Sequence, residues 1–256
     1  MRIGIVCLTF NNLQYTKECL RTYFKYTPRN ICDLVVLDNG SSDDTPGFLL
    51  SQDCFTIIKD SNNGLSAPRN EATKYLLDKG IYDYICYIHN DMVFTSNWLT
   101  DSINVLNSLP CKSVLGIANI VSTDYLTLSD TEREYIASFS KTKTIAFANL
   151  EPRFHPVGLF KDIGFFDEAY KQSEAEDIDY NIRTFNAGYT LTATNRAVVF
   201  HVVALTRLTV PHSTPVREFN YNYCIIKYGK DTFNKFNYVR RDSFFVDGIP
   251  YTRYGC

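Results

Sequence analysis

The chain has little net charge and no long apolar run. Its 256 residues include 26 basic and 28 acidic side chains, which give a formal charge of -2. So small a charge provides no overall field that would attract nucleic acid or anionic lipid, and such a partner would need a local basic patch. The longest apolar run, about 197–205, contains His201 and is far shorter than the roughly 18 residues of a membrane span. The sequence therefore predicts no membrane-spanning helix.

The sequence also lacks paired cysteine motifs and a recognisable export signal. None of its eight cysteines lies in a Cys-x-x-Cys motif, and Cys7 and Cys86 fall in apolar, strand-like segments. This pattern favours reduced, buried thiols. The first apolar stretch is interrupted at Asn11 and Asn12, too early for a signal peptide. We expect a cytoplasmic protein, either free or peripheral at a membrane.

Strand-like and helix-like patterns alternate over the first half of the chain. Short apolar runs predict strands and longer amphipathic stretches predict helices. The strands are expected at 3–8, 34–37, 55–58 and 84–88, and the helices at 13–26 and 67–78. This order predicts an α/β fold in which helices flank a Rossmann-like, mostly parallel central sheet. Ligands bind such sheets at the carboxyl ends of the strands.

The second half is less regular. Periodicity places no elements between 119 and 173, whereas 174–187 reads as a helix that begins with acidic residues and ends at Gly188. Residues 205–256 are rich in aromatics and carry eight basic against four acidic side chains. We expect this C-terminal extension to pack on the core. A basic, aromatic segment also suits an anionic membrane or nucleic acid, which is the alternative.

Polar side chains cluster where the predicted parallel strands end. Carboxylates there accept hydrogen bonds from a base or ribose, an arginine meets a diphosphate, and aspartate with histidine suits a divalent ion. Each cluster by itself is also ordinary turn chemistry, but together they predict a nucleoside-diphosphate pocket. The clusters are Thr9 and Asn11, Asp38 and Asp43, Arg69, and His89-Asn90-Asp91.

Five segments, in order, resemble the motifs of one enzyme family. Residues 35–45, Val-Val-Leu-Asp-Asn-Gly-Ser-Ser-Asp-Asp-Thr, resemble the Val-Asp-Asn-Gly-Ser-Ser-Asp-Gly-Thr signature of the family 2 glycosyltransferases, which have the GT-A fold. Segments 63–70, 88–91, 164–168 and 176–189 are similar to the family's Asn-x-Gly-x-x-x-Ala-Arg-Asn, Asp-x-Asp, Gly-Gly-Phe-Asp-Glu and Glu-Asp-x-Asp-x-x-x-Arg…Gly-Tyr motifs. The resemblance spans about residues 2–201.

This resemblance assigns roles to individual residues. It implies that Asp91 and His201 bind a divalent metal ion, Mn²⁺ or Mg²⁺, and that Asp177 is the catalytic base. It implies acceptor binding by Glu176, and we expect His155 to bind the acceptor as well. The residues expected to hold the nucleotide, usually a uridine diphosphate in this family, are Thr9, Asn11, Asp38, Arg69, His89 and Asn90.

Some of these roles have alternatives. The family usually has aspartate at the position of His89, so a contact of His89 with the ribose and one with the metal both stay open. Asp177 also suits a carboxylate that stabilises the positive start of a helix. Asp179 is expected to form an ion pair with Arg183, four residues later on the helix surface.

The resemblance implies a metal-dependent, inverting transfer of a sugar from a UDP-sugar to a hydroxyl of a saccharide or glycoconjugate. Residues 1–204 would form the GT-A domain, with a nucleotide-sugar half at 1–118 and an acceptor and catalytic half at 119–204. Two alternatives are a catalytically silent sugar- or nucleotide-binding module and a transferase that acts on a modified nucleic-acid base. A dinucleotide-dependent oxidoreductase is disfavoured, because no Gly-x-Gly-x-x-Gly follows a predicted strand.

Overall fold

The first half of the chain builds the parallel part of a central sheet. The computed structural model describes residues 1–121, 125–138, 144–146, 151–202, 214–238, 244–246 and 249–251. The first four strands lie in the order β3-β2-β1-β4 and are all parallel, as predicted. The elements are β1 (Ile3–Thr9), α1 (Leu13–Tyr26), β2 (Cys32–Asp38), α2 (Thr45–Leu50), β3 (Phe55–Ile58), α3 (Ser66–Leu77), β4 (Tyr84–His89), β5 (Met92–Phe94) and α4 (Trp98–Ser108).

The second half continues the same sheet with mixed strand directions. β8 pairs antiparallel with β4 and β6, β6 runs parallel to β9, and β5 and β7 pair antiparallel with β9. The α/β fold class is confirmed, and the sheet is parallel in its first half and mixed in its second. The elements are β6 (Ser113–Val121), α5 (Asp130–Ser138), β7 (Thr144–Ala146), β8 (Arg153–Pro156), α6 (Val157–Ile163), α7 (Glu176–Asn186), β9 (Thr190–His201), α8 (Thr214–Tyr228), α9 (Lys230–Tyr238), β10 (Phe244–Val246) and β11 (Ile249–Tyr251).

Apolar side chains fill both faces of the sheet. One core cluster includes Phe94, Trp98 and Phe154, all of them fully buried. A second lies beneath α7 and includes Tyr87 and Tyr180, and a third includes Tyr125 and Phe200. Since both faces are covered, the strand ends form the exposed rim where polar side chains collect.

Helices α8 and α9 pack against the core through buried Cys224, Phe233 and Phe236. The expectation that the whole extension, residues 205–256, packs on the core stays a prediction. Two basic residues of the extension, Arg240 and Arg241, lie outside the described residues, and its contact with an anionic membrane or nucleic acid stays a prediction. The domain boundary at residue 204 stays a prediction.

The seven described cysteines are all free. Five are buried, as expected for thiols in a core, but Cys54 is partly exposed and Cys111 is exposed. The prediction of buried thiols is therefore wrong for Cys111, which lies in the turn before β6. Within the described ranges, no helix has the length and apolar character needed to cross a bilayer.

Replacing Lys227 by Met tests how α8 is anchored. Lys227 Nζ lies 2.8 Å from Asp167 Oδ2 and 2.7 Å from Oδ1 of the buried Asp179. We expect the substitution to lower the free energy of unfolding by about 1–3 kcal/mol, because it removes a charged donor from a buried carboxylate. Urea unfolding near neutral pH measures the change. Exposed Lys161 on α6 gives the control, Lys161→Met, and equal stabilities of the two variants would contradict the anchor.

The ion pair between Lys227 and Asp167 has a defined pH dependence. Burial by itself would raise the pKa of Asp167, but the hydrogen bond from Lys227 holds that pKa below its ordinary value of 3.8. A lowered pKa in the folded state means that this stabilisation is present above the ordinary value and is lost as the pH falls through the lowered one. The stability difference between the native protein and the Lys227→Met variant should therefore shrink in acid.

Candidate active site

The ends of β4 and β9 bring His89, Asp91 and His201 together. One potential ligand atom from each residue lies within 4.8 Å of the other two. His201 Nε2 is 3.1 Å from Asp91 Oδ1, and the two imidazole rings stack with centroids 5.2 Å apart. Two ring nitrogens and one carboxylate suit a divalent transition ion such as Mn²⁺ better than Mg²⁺, which prefers oxygen ligands. The three residues therefore fit a metal site, and His89 is part of it.

Strand pairing explains how this cluster forms. The chain turns at Asn90 and Asp91, and β5 then pairs antiparallel with β9, so that Met92 lies opposite His201. The main-chain carbonyl of Asp91 accepts hydrogen bonds from the Tyr125 hydroxyl at 2.7 Å and from the Val202 N–H at 3.2 Å. These contacts hold the Asp91 backbone in place, and only 8% of its side chain is exposed.

Glu151 joins this cluster to Arg69. The Glu151 carboxylate forms an ion pair with His89 Nε2 and lies 3.3 Å from the guanidinium of Arg69. Only 5% of the Arg69 side chain and 14% of the Glu151 side chain are exposed. The guanidinium also lies over the rings of Tyr87 and Phe166, at 5.0 and 5.1 Å from their centroids. Arg69 is therefore fixed in a partly aromatic environment beside the cluster of His89, Asp91 and His201.

The charges of Arg69, His89 and Glu151 shift one another's pKa values. Burial would lower the pKa of His89, but the Glu151 carboxylate raises it above its ordinary value. Burial would likewise raise the pKa of Glu151, but Arg69 and His89 hold it well below its ordinary value. Against the effect of burial, Glu151 and then Glu176 keep the pKa of Arg69 above its ordinary value. The start of α7 is therefore within electrostatic reach of Arg69.

Hydrogen bonds join the segments that contain Thr9, Asn11 and Asp38, where β1 and β2 end. The fully buried Asp38 carboxylate accepts a hydrogen bond from the Thr9 hydroxyl at 3.1 Å and from the Ser41 N–H at 3.0 Å. Asn11 Oδ1 accepts from the Ser42 N–H at 2.8 Å. The structure thus brings these three predicted residues together at the ends of β1 and β2. Their side chains form hydrogen bonds with other groups of the same chain.

Asn90 points inward from the same edge of the sheet. Its Nδ2 donates to the Thr16 hydroxyl at 2.9 Å and to the Asn11 carbonyl at 3.5 Å. These bonds join the β4–β5 turn to the start of α1. The expected contact of Asn90 with a nucleotide stays a prediction.

The acidic start of α7 separates into different environments. Asp177 is partly exposed, and its Oδ1 accepts a hydrogen bond from the N–H of Ile178 at 2.9 Å. Glu176 is buried, with 5% of the residue exposed. Asp179 pairs with Arg183 at 2.8 Å, as predicted, but this pair is not on the surface. Asp179 is fully buried, because α8 covers it and Lys227 and Tyr228 donate to it.

The loop before α7 adopts a constrained backbone. Gln172, Glu174 and Ala175 have positive φ angles of 54°, 90° and 65°, a region that costs non-glycine residues energy and is maintained only by surrounding contacts. On one side, the Leu65 N–H donates to the Gln172 carbonyl at 2.6 Å. A Cβ on Gly64 would lie 2.7 Å from that same oxygen, so only glycine allows the close approach.

On its other side, this loop is held by Asn220 of α8. The Asn220 amide is fully buried and donates to the carbonyls of Lys171, Ser173 and Glu174 at 2.8 to 3.1 Å. Its oxygen accepts from the Lys171 N–H at 3.0 Å. One side chain in the C-terminal extension thus fixes the backbone that leads into Asp177.

His155 is buried among aromatic side chains of the core. It lies on β8, is 1% exposed, and packs against Tyr87, Phe160 and Tyr180 with ring centroids 5.1 to 6.2 Å away. Burial first, and the charge of Arg153 second, hold the pKa of His155 well below its ordinary value. This environment keeps the ring neutral inside the core. Acceptor binding by His155 stays a prediction that its burial does not support.

Sequence reasoning missed Glu151, Asn220 and the role of Asn70. Asn70 Oδ1 accepts from the Phe166 N–H at 3.0 Å and Nδ2 donates to the Phe166 carbonyl at 2.9 Å, which locks two of the recognised motifs together. Asn70 could have been found, because it is part of the segment 63–70. Glu151 and Asn220 lie in regions without a readable pattern, and only their contacts identify them.

Replacing Asn220 by Ala tests the control of this loop. The variant leaves three loop carbonyls without the Asn220 donor, so we expect faster hydrogen–deuterium exchange in residues 171–175 and a loss of about 1–3 kcal/mol in unfolding free energy. Asn222→Ala changes an exposed residue of the same helix and is the control. Unchanged exchange in residues 171–175 of the Asn220→Ala variant would show that the loop holds its conformation without this clamp.

Comparisons with known proteins agree with this geometry. An uncharacterised glycosyltransferase of Rickettsia prowazekii is 25% identical over 185 residues, which cover 69% of this chain and 57% of that protein. One of Rickettsia typhi is 25% identical over 196 residues, which cover 73% of this chain and 60% of that protein. The chain thus spans about three fifths of the length of these curated relatives.

Two solved structures share the fold. The structure of S. aureus TarS residues 1–349 in complex with UDP-GlcNAc matches with a TM-score of 0.66 and 15% identity, over 94% of this chain and 72% of that one. GalNAc-T7 with UDP, GalNAc and Mn²⁺ matches with a TM-score of 0.64 and 13% identity, over 92% and 50%. The model of glycosyl transferase family 2 matches residues 5–167, well over half of the chain. The protein therefore belongs to glycosyl transferase family 2, as its motifs predict, and has the GT-A fold.

Proposed function

We propose that this glycosyltransferase moves a sugar from a UDP-sugar to a hydroxyl of a saccharide or glycoconjugate, with inversion at the sugar carbon and with a divalent ion bound. The observation that carries the proposal is the cluster of His89, Asp91 and His201 beside Arg69, at the carboxyl end of the parallel strands. Two structural neighbours contain UDP-GlcNAc, or UDP with Mn²⁺, and support the choice of donor.

The donor would lie along this edge of the sheet. Thr9, Asn11 and Asp38, at the ends of β1 and β2, form the wall beside the base and ribose. Arg69 faces the diphosphate. A divalent ion held by His89, Asp91 and His201 supplies positive charge that offsets the charge of the leaving diphosphate. Arg69 adds a fixed charge, and because it is buried its attraction for an anion is little screened by solvent.

Asp177 is the proposed base. Its carboxylate takes the proton of the acceptor hydroxyl while the acceptor oxygen bonds to the anomeric carbon. The bond between that carbon and the β-phosphate oxygen breaks, and its electron pair leaves with UDP. The partial exposure of Asp177 lets an acceptor reach it. The clamped loop before α7 fixes the carboxylate relative to Arg69, and such fixed placement lowers the entropy cost of the reaction.

The donor sugar, the acceptor and the location in the cell are finer points. We propose a cytoplasmic enzyme that works in solution or at a membrane surface, as the sequence analysis predicts. Glu176, buried at the start of α7, is the acceptor-side residue best placed near Asp177.

Metal dependence is tested by UDP binding. We expect UDP with Mn²⁺ to stabilise the protein by about 2.7 kcal/mol when UDP is at 100 times its dissociation constant. UDP without a divalent ion should stabilise it much less. The Asp91→Ala and His201→Ala variants should lose the part that depends on Mn²⁺, because each removes one ligand. Thermal unfolding measures these shifts, with Asp78→Ala, an exposed aspartate at the end of α3, as the control. A UDP-induced stabilisation of the same size with and without Mn²⁺ would contradict the metal site.

The role of Asp177 is tested separately. Asp177→Asn removes the proton acceptor but keeps the shape, so the transfer rate should fall by about 10²–10⁴-fold. The UDP-induced thermal shift should persist, because the base acts on the acceptor side. UDP release from a set of UDP-sugars with saccharide acceptors measures the rate, and Asp78→Asn is the matched control. Full activity of the Asp177→Asn variant would assign the base to another residue.

A further inference from the structure

Glu151 lies where the proposed function expects the donor diphosphate to bind. Its carboxylate contacts both Arg69, at 3.3 Å, and His89, and 14% of its side chain is exposed. Arg69 and His89 are the residues that the proposed function directs at the diphosphate and the metal ion. In this structure both are already paired with an acidic side chain of the same chain.

This arrangement affects how a donor enters. A diphosphate that approaches Arg69 meets the negative charge of Glu151 at close range, and like charges repel strongly where solvent is largely excluded. Asp91, with 8% of its side chain exposed, adds a second negative charge beside His89. Two carboxylates thus lie beside the fixed positive charge of Arg69, and the site has little surplus positive charge for an anionic ligand.

We propose that Glu151 competes with the donor diphosphate for Arg69 and His89, and that this competition lowers the affinity of the site for the donor. Without a divalent ion, the carboxylate keeps Arg69 occupied and UDP binds weakly. With a divalent ion held by His89, Asp91 and His201, Glu151 would lose its contact with His89, and Arg69 would pair with the phosphate oxygens instead of Glu151. Glu151 thereby favours the metal-bound donor over a free nucleotide. This inference rests on the proposed function of the site.

The experiment compares UDP affinities by calorimetry. Glu151→Gln keeps the size of the side chain but removes its charge, so UDP without a divalent ion should bind about tenfold tighter than it does to the native protein. With saturating Mn²⁺ the two proteins should differ by much less. Glu71→Gln removes the same charge from the outer surface of α3, where Glu71 pairs with Lys59, and should leave both affinities unchanged.

A second substitution identifies the partner. If Glu151 competes for Arg69, the gain from Glu151→Gln disappears in an Arg69→Gln background, because neither protein then has the guanidinium. A gain that persists there would overturn the competition for Arg69. Equal or weaker binding of UDP to the Glu151→Gln variant in the absence of metal would overturn the proposal as a whole.

The outcome for the native protein separates this inference from the proposed function. If the native protein binds no UDP even with Mn²⁺, the proposed function fails. If it binds UDP with Mn²⁺ but Glu151→Gln changes nothing, only the inference fails. A crystal structure of the native protein with UDP and Mn²⁺ gives an independent check that needs no variant. Glu151 should have left Arg69 there, and a retained pair would overturn the proposal.

Discussion

The pairing of β5 with β9 is the constraint on which the candidate site depends. Without it, Asp91 would be a turn residue after β4 and His201 the last residue of a strand on the far side of the sheet. The antiparallel register places Met92 opposite His201, which brings His201 Nε2 to 3.1 Å from Asp91 Oδ1. Backbone hydrogen bonds thus position a potential metal ligand that lies more than a hundred residues away in the sequence.

Charge compensation organises the surrounding side chains. Arg69 is buried, and an isolated buried charge would be costly. Glu151 and the aromatic rings of Tyr87 and Phe166 supply its partners. The same carboxylate raises the pKa of His89 against the effect of burial. If the proposed function holds, a donor enters a site in which Arg69 already has an acidic partner, and binding exchanges that partner for the diphosphate.

The C-terminal helices have a comparable role for α7 and the loop before it. Asn220 donates hydrogen bonds to three carbonyls of the loop before α7, in which several residues have left-handed backbone angles. Lys227 and Tyr228 donate hydrogen bonds to the buried Asp179 on α7. These contacts fix the backbone on both sides of Asp177. The segment that the sequence analysis treats as an extension is thus part of the support for the proposed base.

The sequence by itself determined the α/β class, the parallel strands of the first half, the family, and most candidate residues, because these depend on local periodicity and on short motifs at strand ends. It also predicted the Asp179–Arg183 pair, whose spacing is local to one helix, although not its burial. Tertiary structure alone decided that His89 joins Asp91 and His201, that Glu151 pairs with Arg69, that Asn220 holds the loop before α7, and that His155 lies inside the core. Each of these depends on contacts between distant segments, set by sheet register and helix packing, and a linear pattern carries no record of them.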